Sequence, residues 1–346
     1  MKNALRVLLI LGLALGLAVP TLAVNELNGA GATFPYPLYS KMFDAYAEEF
    51  GVKVNYQGIG SSGGIKELTN TTVAFGGTDA FMSDEKIADT GADIVHIPTC
   101  LGAVVLTYNL EGSPDLKISQ DVLADIFLGK ITSWNDDAIV ALNPGLSLPD
   151  MDIVVVHRSD GSGTTNTFTV FLTKINDDWA EKVGKGKTVE WPTGLGAAKN
   201  SGVAGMIKQT PGAIGYVELA YATENGMPVA LIENSSGNFI KPDLMSTRLS
   251  AEGDIPEDTR VYLADTSAAE GYPITTFTWI ILYKEQNYDG RSLEEVKVLM
   301  DLLWWVTHDG QVHCEPLLYA PIPEKAVGSV ETLLKSVTYD GKSILK

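Results

Sequence analysis

One strand–turn–helix unit constrains the fold of this chain more than any other segment. An apolar, β-branched run at 153–156 leads through Arg158 into a turn of glycine and serine, which opens a predicted helix over 164–172. A second turn of the same character, Gly58–Gly64, also follows a predicted strand and precedes a short helix. Backbone N–H groups at a helix start are unpaired and point outward, so each unit predicts an anion site within an α/β architecture.

Strands and helices alternate along the rest of the chain, which predicts an α/β fold with parallel or mixed sheets covered on both faces. The length of 346 residues favours two domains, because single cores seldom grow past ~250–300 residues. The predicted strands are 52–57, 73–79, 96–109, 213–218 and 277–283, and the predicted helices are 33–50, 64–69, 121–128, 136–142 and 292–307. Thr33 is the predicted N-cap of the first helix, with Pro35 in its first turn.

The N-terminus has the pattern of a secretory signal peptide, predicted over residues 1–23. Two basic residues precede the apolar run Val7–Val19, which is too short to span a bilayer, and small residues occupy the cleavage-type positions. The alternative is a membrane anchor, although Pro20 and Asn25 interrupt the apolar pattern soon after it. No cysteine follows directly, so lipid attachment at the new N-terminus is not predicted, and the protein should be free in an exported compartment.

The charge balance excludes some partners. Removing Lys2 and Arg6 with the signal peptide would change the net charge from −18 to −20. A surface this acidic argues against nucleic acid and anionic membranes as partners. An anion site in such a chain must therefore bind through local donors rather than through bulk charge.

The two cysteines, Cys100 and Cys314, could form a disulfide or remain free thiols. An exported compartment would allow them to pair, but the sequence does not show whether they lie close enough for a disulfide. His308, His313 and Cys314 cluster loosely, yet no metal-ligand spacing supports a site. The sequence predicts no metal and no cofactor.

Three turns share one design that points to oxyanion binding. Thr33, Ser61 and the Ser162/Thr164 pair are hydroxyl residues at three predicted helix starts. If the turns converge, a tetrahedral anion would meet many neutral donors and the planar donor fork of Arg158, the only cation predicted there. Each turn taken alone is more simply an ordinary capped helix.

Two aspartates refine this prediction. Asp79 follows Gly76-Gly77-Thr78, where a carboxylate would repel an anion unless it accepts a proton from that anion. Phosphate carries such a proton at neutral pH and sulfate does not, so Asp79 would select phosphate; the alternative is a surface turn residue. Asp160 is expected to orient Arg158, although a plain Asp-Gly turn is nearly as plausible.

Two enzyme classes are alternatives to a binding protein. Gly60–Gly64 satisfies the Gly-x-Ser-x-Gly pattern, so the alternative function is a secreted serine hydrolase using Ser62. That pattern is common in turns, and His96 and His157 lie in strand-like runs typical of structural histidines. A nucleotide P-loop is excluded, because neither turn contains Gly-Lys-Ser/Thr.

At these residues the chain resembles the periplasmic phosphate-binding protein of phosphate-specific ABC transporters, a substrate-binding protein family. The matching segments run in order through the mature chain, at 29–35, 56–64, 75–80, 128–131, 160–164 and 211–218. The resemblance implies a periplasmic-binding-protein-like α/β fold, with two lobes joined by two crossovers around a ligand cleft. It places lobe I at 24–109 plus 276–346 and lobe II at 110–275.

The resemblance also implies the function and the residues that carry it. The protein would be no enzyme: it would bind inorganic phosphate with high affinity and deliver it to the permease and ATPase subunits of an ABC transporter. The implied ligand contacts are Thr33, Phe34 through its backbone N–H, Ser61, Asp79, Arg158, Ser162, Gly163 and Thr164. Asp79 would be the proton acceptor, and Asp160 would pair with Arg158.

Overall fold

A computed structural model describes residues 24–112 and 114–346; the predicted signal peptide lies outside them. The described strands are β1 Glu26–Gly31, β2 Lys53–Gly58, β3 Phe75–Thr78, β4 Ile94–Tyr108, β5 Lys117–Ile118, β6 Val154–Arg158, β7 Leu195–Ala197, β8 Ala213–Glu218, β9 Leu231–Glu233, β10 Phe239–Ile240, β11 Leu263–Ala264, β12 Ile274–Tyr283, β13 Thr338–Tyr339 and β14 Lys342–Ser343. The described α-helices are α1 Tyr36–Phe50, α2 Ser61–Thr69, α3 Asp84–Ala88, α4 Gln120–Phe127, α5 Asp137–Leu142, α6 Gly163–Ile175, α7 Asp177–Lys182, α8 Lys199–Gln209, α9 Leu219–Glu224, α10 Leu244–Leu249, α11 Leu293–Thr307 and α12 Glu324–Lys335. Two 3₁₀ turns, Asp309–His313 and Glu315–Leu317, follow α11.

One mixed sheet runs through the molecule, in the order β2-β1-β3-β12-β4-β8-β6-β7, with β11 beside β12. The strands β1, β2 and β3 are parallel to one another, and so are β6, β7 and β8. Strands β12 and β4 run antiparallel to their neighbours. The predicted α/β class with a mixed sheet is confirmed.

Strand β4 belongs to both halves of this sheet. Its residues Ile94–Ala103 pair with β12, whereas Val104–Tyr108 pair with β8. We call β2, β1, β3, β12, β11 and the first part of β4 the first half-sheet, and the remainder the second half-sheet. All fifteen residues of β4 are buried, in agreement with their largely apolar sequence. The change of partner falls inside the predicted lobe I; the lobe bounds themselves remain a prediction.

Most predicted elements form within a few residues of their expected bounds, but the first helix differs. It begins at Tyr36 with Pro35 as its N-cap, and no side chain caps it. Thr33 lies outside the helix, in a turn where the Tyr36 N–H donates to the Thr33 carbonyl. The Thr33 hydroxyl is therefore not a cap and is available for other partners.

The structure also bears on the two cysteines, on metal ligands and on membrane-spanning helices. Cys100 and Cys314 are both buried free thiols, and burial raises the pKa of each. No group of three or more potential metal ligands occurs among the described residues. Within that same part of the chain, no helix is both long and apolar enough to cross a membrane.

Candidate anion-binding site

The predicted site residues follow the carboxyl ends of parallel strands. Thr33 and Phe34 follow β1, Ser61 follows β2 and Asp79 follows β3 in the first half-sheet. In the second half-sheet, Arg158 ends β6 and the Ser162–Thr164 segment begins α6. Crevices at the carboxyl ends of strands are where open α/β sheets bind ligands.

The Ser61 hydroxyl joins the two halves of the site. It accepts hydrogen bonds from the Gly163 N–H at 3.0 Å and from the Asp79 N–H at 3.3 Å, and it donates to Asp79 Oδ2 at 3.3 Å. Gly163 belongs to α6 and Asp79 follows β3, so one hydroxyl brings together residues that the sequence separates widely. The three residues are packed so closely that a Cβ atom on Gly163 would come within 2.6 Å of both Asp79 and Ser61.

The start of α6 has the predicted capping geometry. Ser162 is the N-cap, and its Oγ accepts from the Thr165 N–H at 3.0 Å. Because the oxygen is occupied as an acceptor, the Ser162 hydroxyl proton can be directed elsewhere. In the described part of the chain, the backbone N–H groups of Thr164 and Phe34 donate to no other protein group. These are the unpaired donors that an anion needs.

Asp160 holds the guanidinium group of Arg158 in place. Its Nε donates to Asp160 Oδ1 at 2.7 Å and its Nη2 to Oδ2 at 2.6 Å. The side chain of Arg158 is only 1% exposed, and its remaining nitrogen, Nη1, approaches Thr164 Oγ1 at 3.4 Å. Although burial opposes it, the arginine lowers the pKa of Asp160. The carboxylate of Asp160 thus fixes the guanidinium group through two hydrogen bonds, and Nη1 of Arg158 faces the start of α6.

Asp79 is a fully enclosed carboxyl group rather than a surface turn residue. Its exposure is 3%, and burial raises its pKa to about 7 against the opposing effects of a hydrogen bond from Thr278 and of Arg158. Thr278 donates to Oδ1 at 2.8 Å. The other oxygen, Oδ2, faces Ser61 and Gly163. One carboxylate oxygen is therefore held by the protein while the other points to the donors.

Two polar residues that contact this site, Asn200 and Thr278, were not among the predicted site residues. Asn200, at the start of α8, donates to both Thr33 and Thr164. Residues 194–205 form a third glycine-rich strand–turn–helix unit, but alanine rather than serine or threonine occupies the N-cap position, Ala198, so the hydroxyl pattern did not mark it. Thr278 gave no local signal, because it reaches Asp79 only through the pairing of β12 with β3.

Lys187 corrects the expectation that Arg158 is the only cation here. Its carbonyl accepts from the Ser162 N–H at 2.9 Å, so the residue lies against the N-cap of α6. Burial lowers the pKa of Lys187, Asp79 raises it, and Lys187 in turn lowers the pKa of Asp79. Within the described residues, no carboxylate oxygen lies within salt-bridge distance of its Nζ.

The residues of the alternative hydrolase do not assemble. Ser62 is exposed, and among the described residues it makes no hydrogen bond to a histidine. His157 stacks on Trp191 with ring centroids 4.8 Å apart. His96 is buried, and its Nε2 accepts from the Met82 N–H. Both histidines are structural, as their strand positions indicated.

The two halves of the site meet backbone to backbone. The Ser62 N–H donates to the Gly161 carbonyl at 3.0 Å, and a Cβ on Gly60 would lie 2.7 Å from Asp160 Oδ2. Thr33, Ser61, Asp79, Ser162 and Thr164 are each 5% exposed or less. A cavity of about 680 Å³ flanks Thr33 and is lined by both halves, including Tyr56 and Tyr221. An anion therefore reaches these donors only if the halves separate.

Comparisons with known proteins agree with this geometry. Residues 18–309 match the model of the PBP superfamily domain. The chain is 39% identical to the phosphate-binding protein PstS of Pasteurella multocida over 331 residues, covering 94% of each chain. It is 40% identical to the protein of that name from Haemophilus influenzae, covering 92% of this chain and 95% of the relative.

Solved structures show the same fold. One is a high-affinity periplasmic phosphate-binding protein (PfluDING) bound with phosphate, with a TM-score of 0.71 at 21% identity, covering 89% of this chain and 93% of that one. Another is a phosphate-binding protein from Stenotrophomonas maltophilia, with a TM-score of 0.68 at 18% identity and the same coverage. The match to the family model and the identity to the relatives from Pasteurella and Haemophilus show that the chain belongs to the PBP superfamily and, within it, to the PstS family of phosphate-binding proteins.

Proposed function

We propose that this protein binds inorganic phosphate with high affinity between the two half-sheets and delivers it to an ABC transporter. The ligand contacts in this proposal are Thr33, the Phe34 N–H, Ser61, Asp79, Arg158, Ser162, Gly163 and Thr164. The names of the PstS relatives and the phosphate bound to similar structures support the ligand.

The single observation that carries the proposal is the placement of Asp79. An enclosed carboxyl group, with one oxygen held by Thr278, faces a set of hydroxyl and backbone donors. Donors alone would accept any tetrahedral oxyanion. A carboxylate among them stabilises an anion that itself carries a proton, which describes monohydrogen and dihydrogen phosphate but not sulfate.

Calorimetry on the mature protein tests this function directly. Phosphate should bind tightly, and sulfate should bind at least about 10⁴-fold more weakly, because its complex would leave Asp79 without a proton to accept. Arsenate, which also carries a proton near neutral pH, is the matched control and should bind like phosphate. Equal affinities for phosphate and sulfate would contradict the selectivity argument, and no heat with any of the three would contradict the function.

The remaining parts of the proposal concern the setting of this protein. It acts in the periplasm after removal of residues 1–23, its partners are the permease and ATPase subunits of a phosphate transporter, and it is a receptor rather than an enzyme. Among the described residues, Ser62 forms no hydrogen bond to a histidine, so the structure gives the hydrolase no support. Transport of labelled phosphate by cells lacking this protein, with and without its restoration, tests the delivery step.

A further inference from the structure

Asn200 lies between two proposed ligand hydroxyls that belong to different halves of the site. The side chain is fully buried at the start of α8. Its Nδ2 is 3.0 Å from Thr33 Oγ1 and 3.2 Å from Thr164 Oγ1, and its backbone N–H approaches Thr33 Oγ1 at 3.3 Å. No other side chain among the described residues forms hydrogen bonds to both hydroxyls.

The direction of these hydrogen bonds is fixed by Glu218. Asn200 Oδ1 accepts from the Glu218 backbone N–H at 3.0 Å. A backbone N–H can only donate, so the amide oxygen must face Glu218 and the NH₂ group must face the two threonines. Asn200 is consequently a donor to both hydroxyls and an acceptor from neither.

A hydroxyl group that accepts such a hydrogen bond is restricted in where its own proton can point. It carries one proton and two lone pairs, so once its oxygen faces a donor, its proton turns to another acceptor. Thr164 Oγ1 also faces Arg158 Nη1 at 3.4 Å, which reinforces this direction. We propose that Asn200 is a positioning residue, which aims the hydroxyl protons of Thr33 and Thr164 at the phosphate oxygens and joins the two halves as they close. This inference rests on the proposed function.

A thermodynamic cycle separates this role from ordinary packing. The variants are Asn200→Ala, the pair Thr33→Val with Thr164→Val, and all three changes together, with phosphate affinity measured by calorimetry. We expect Asn200→Ala to weaken binding by about tenfold in the otherwise native protein, the scale of one lost hydrogen bond. In the valine background it should change affinity by less than about twofold, because no hydroxyl is left to orient.

The matched control is Ser201→Ala, at the exposed neighbouring position of α8, which should leave affinity unchanged. Thermal unfolding checks that each variant folds, and Asn200→Leu, which keeps the side-chain volume, replaces Asn200→Ala if the latter does not fold. Equal losses in both backgrounds, or failure of both Asn200 variants to fold, would assign a structural role and overturn the inference. If the native protein bound no phosphate, the proposed function would fail instead.

Discussion

At the scale of single residues, Asp79 combines burial with a place beside an anion. Burial disfavours its ionised form and raises its pKa to about 7 in the ligand-free protein, whereas a hydrogen bond donated by a protonated anion would favour that form. Thr278 and the nearby cations limit the rise. The group therefore changes its charge near neutral pH.

Asp79→Asn should narrow the preference for phosphate over sulfate. The amide keeps the shape of the carboxylate but carries no charge, so it neither repels sulfate nor accepts a proton strongly. We expect phosphate affinity to fall by about 10- to 100-fold and sulfate affinity to rise, as measured by calorimetry for both anions. An unchanged ratio would remove Asp79 from the selective contacts.

The stability of the ligand-free protein should also depend on Asp79. Because its folded pKa is raised above the unfolded value, its protonated form favours folding, and that contribution is lost as pH rises through about 7. Relative to Asp79→Asn, the free energy of unfolding should decrease by on the order of 3 kcal/mol between pH 5 and 8. Urea unfolding of the native protein and of Asp79→Asn at several pH values measures this difference. Burial also raises the pKa of Glu218, but Glu218 is present in both proteins and contributes equally to their pH dependence. Parallel pH profiles would contradict the prediction.

Lys187 should strengthen phosphate binding through its charge. Arg158 is already neutralised by Asp160, whereas no described carboxylate forms a salt bridge with Lys187. We expect Lys187→Gln to weaken binding by about 3- to 10-fold. Lys185→Gln removes the same charge at an exposed position two residues away and should have little effect in calorimetry. Equal effects of the two variants would mean that only net charge matters.

At the scale of elements, the start of α6 requires a glycine for contact between the halves. A Cβ on Gly163 would lie 2.5 Å from Asp79 Oδ2, so Gly163→Ala should prevent closure and weaken phosphate binding by about 100-fold or more. Gly205→Ala, inside α8, is the matched control because a Cβ there meets nothing within 4 Å. It should leave binding unchanged and raise the unfolding free energy by about 0.5–1 kcal/mol. Calorimetry and urea unfolding measure the two effects; native affinity in Gly163→Ala would contradict the closure argument.

The elements also show what local sequence determines. Ser162 as a cap and β8 over Ala213–Glu218 follow from short-range patterns, and both were predicted. Thr33 was misplaced as a cap, because a proline two residues later starts the helix equally well. Thr278 and Lys187 reach the site through long-range packing, which no local pattern records.

At the scale of the whole molecule, the proposed export of the chain sets its N-terminus. If residues 1–23 are a cleaved signal peptide, the protein recovered from the periplasm should begin at Val24. Intact mass and N-terminal sequencing measure this. A membrane-bound chain that retains residues 1–23 would favour the anchor instead.

The sheet order has a consequence for how this molecule acquires its function. Strand β12 lies between β3 and β4, yet it follows β4 in the sequence by about half the length of the chain. As the chain emerges from its N-terminus, β3 and β4 each keep an open edge until residues 274–283 arrive, and closing so long a loop is slow. The same strand carries Thr278, which holds Asp79 in place. The hydrogen bond from Thr278, on which the proposed choice of phosphate over sulfate depends, can therefore form only after β12 has joined the sheet.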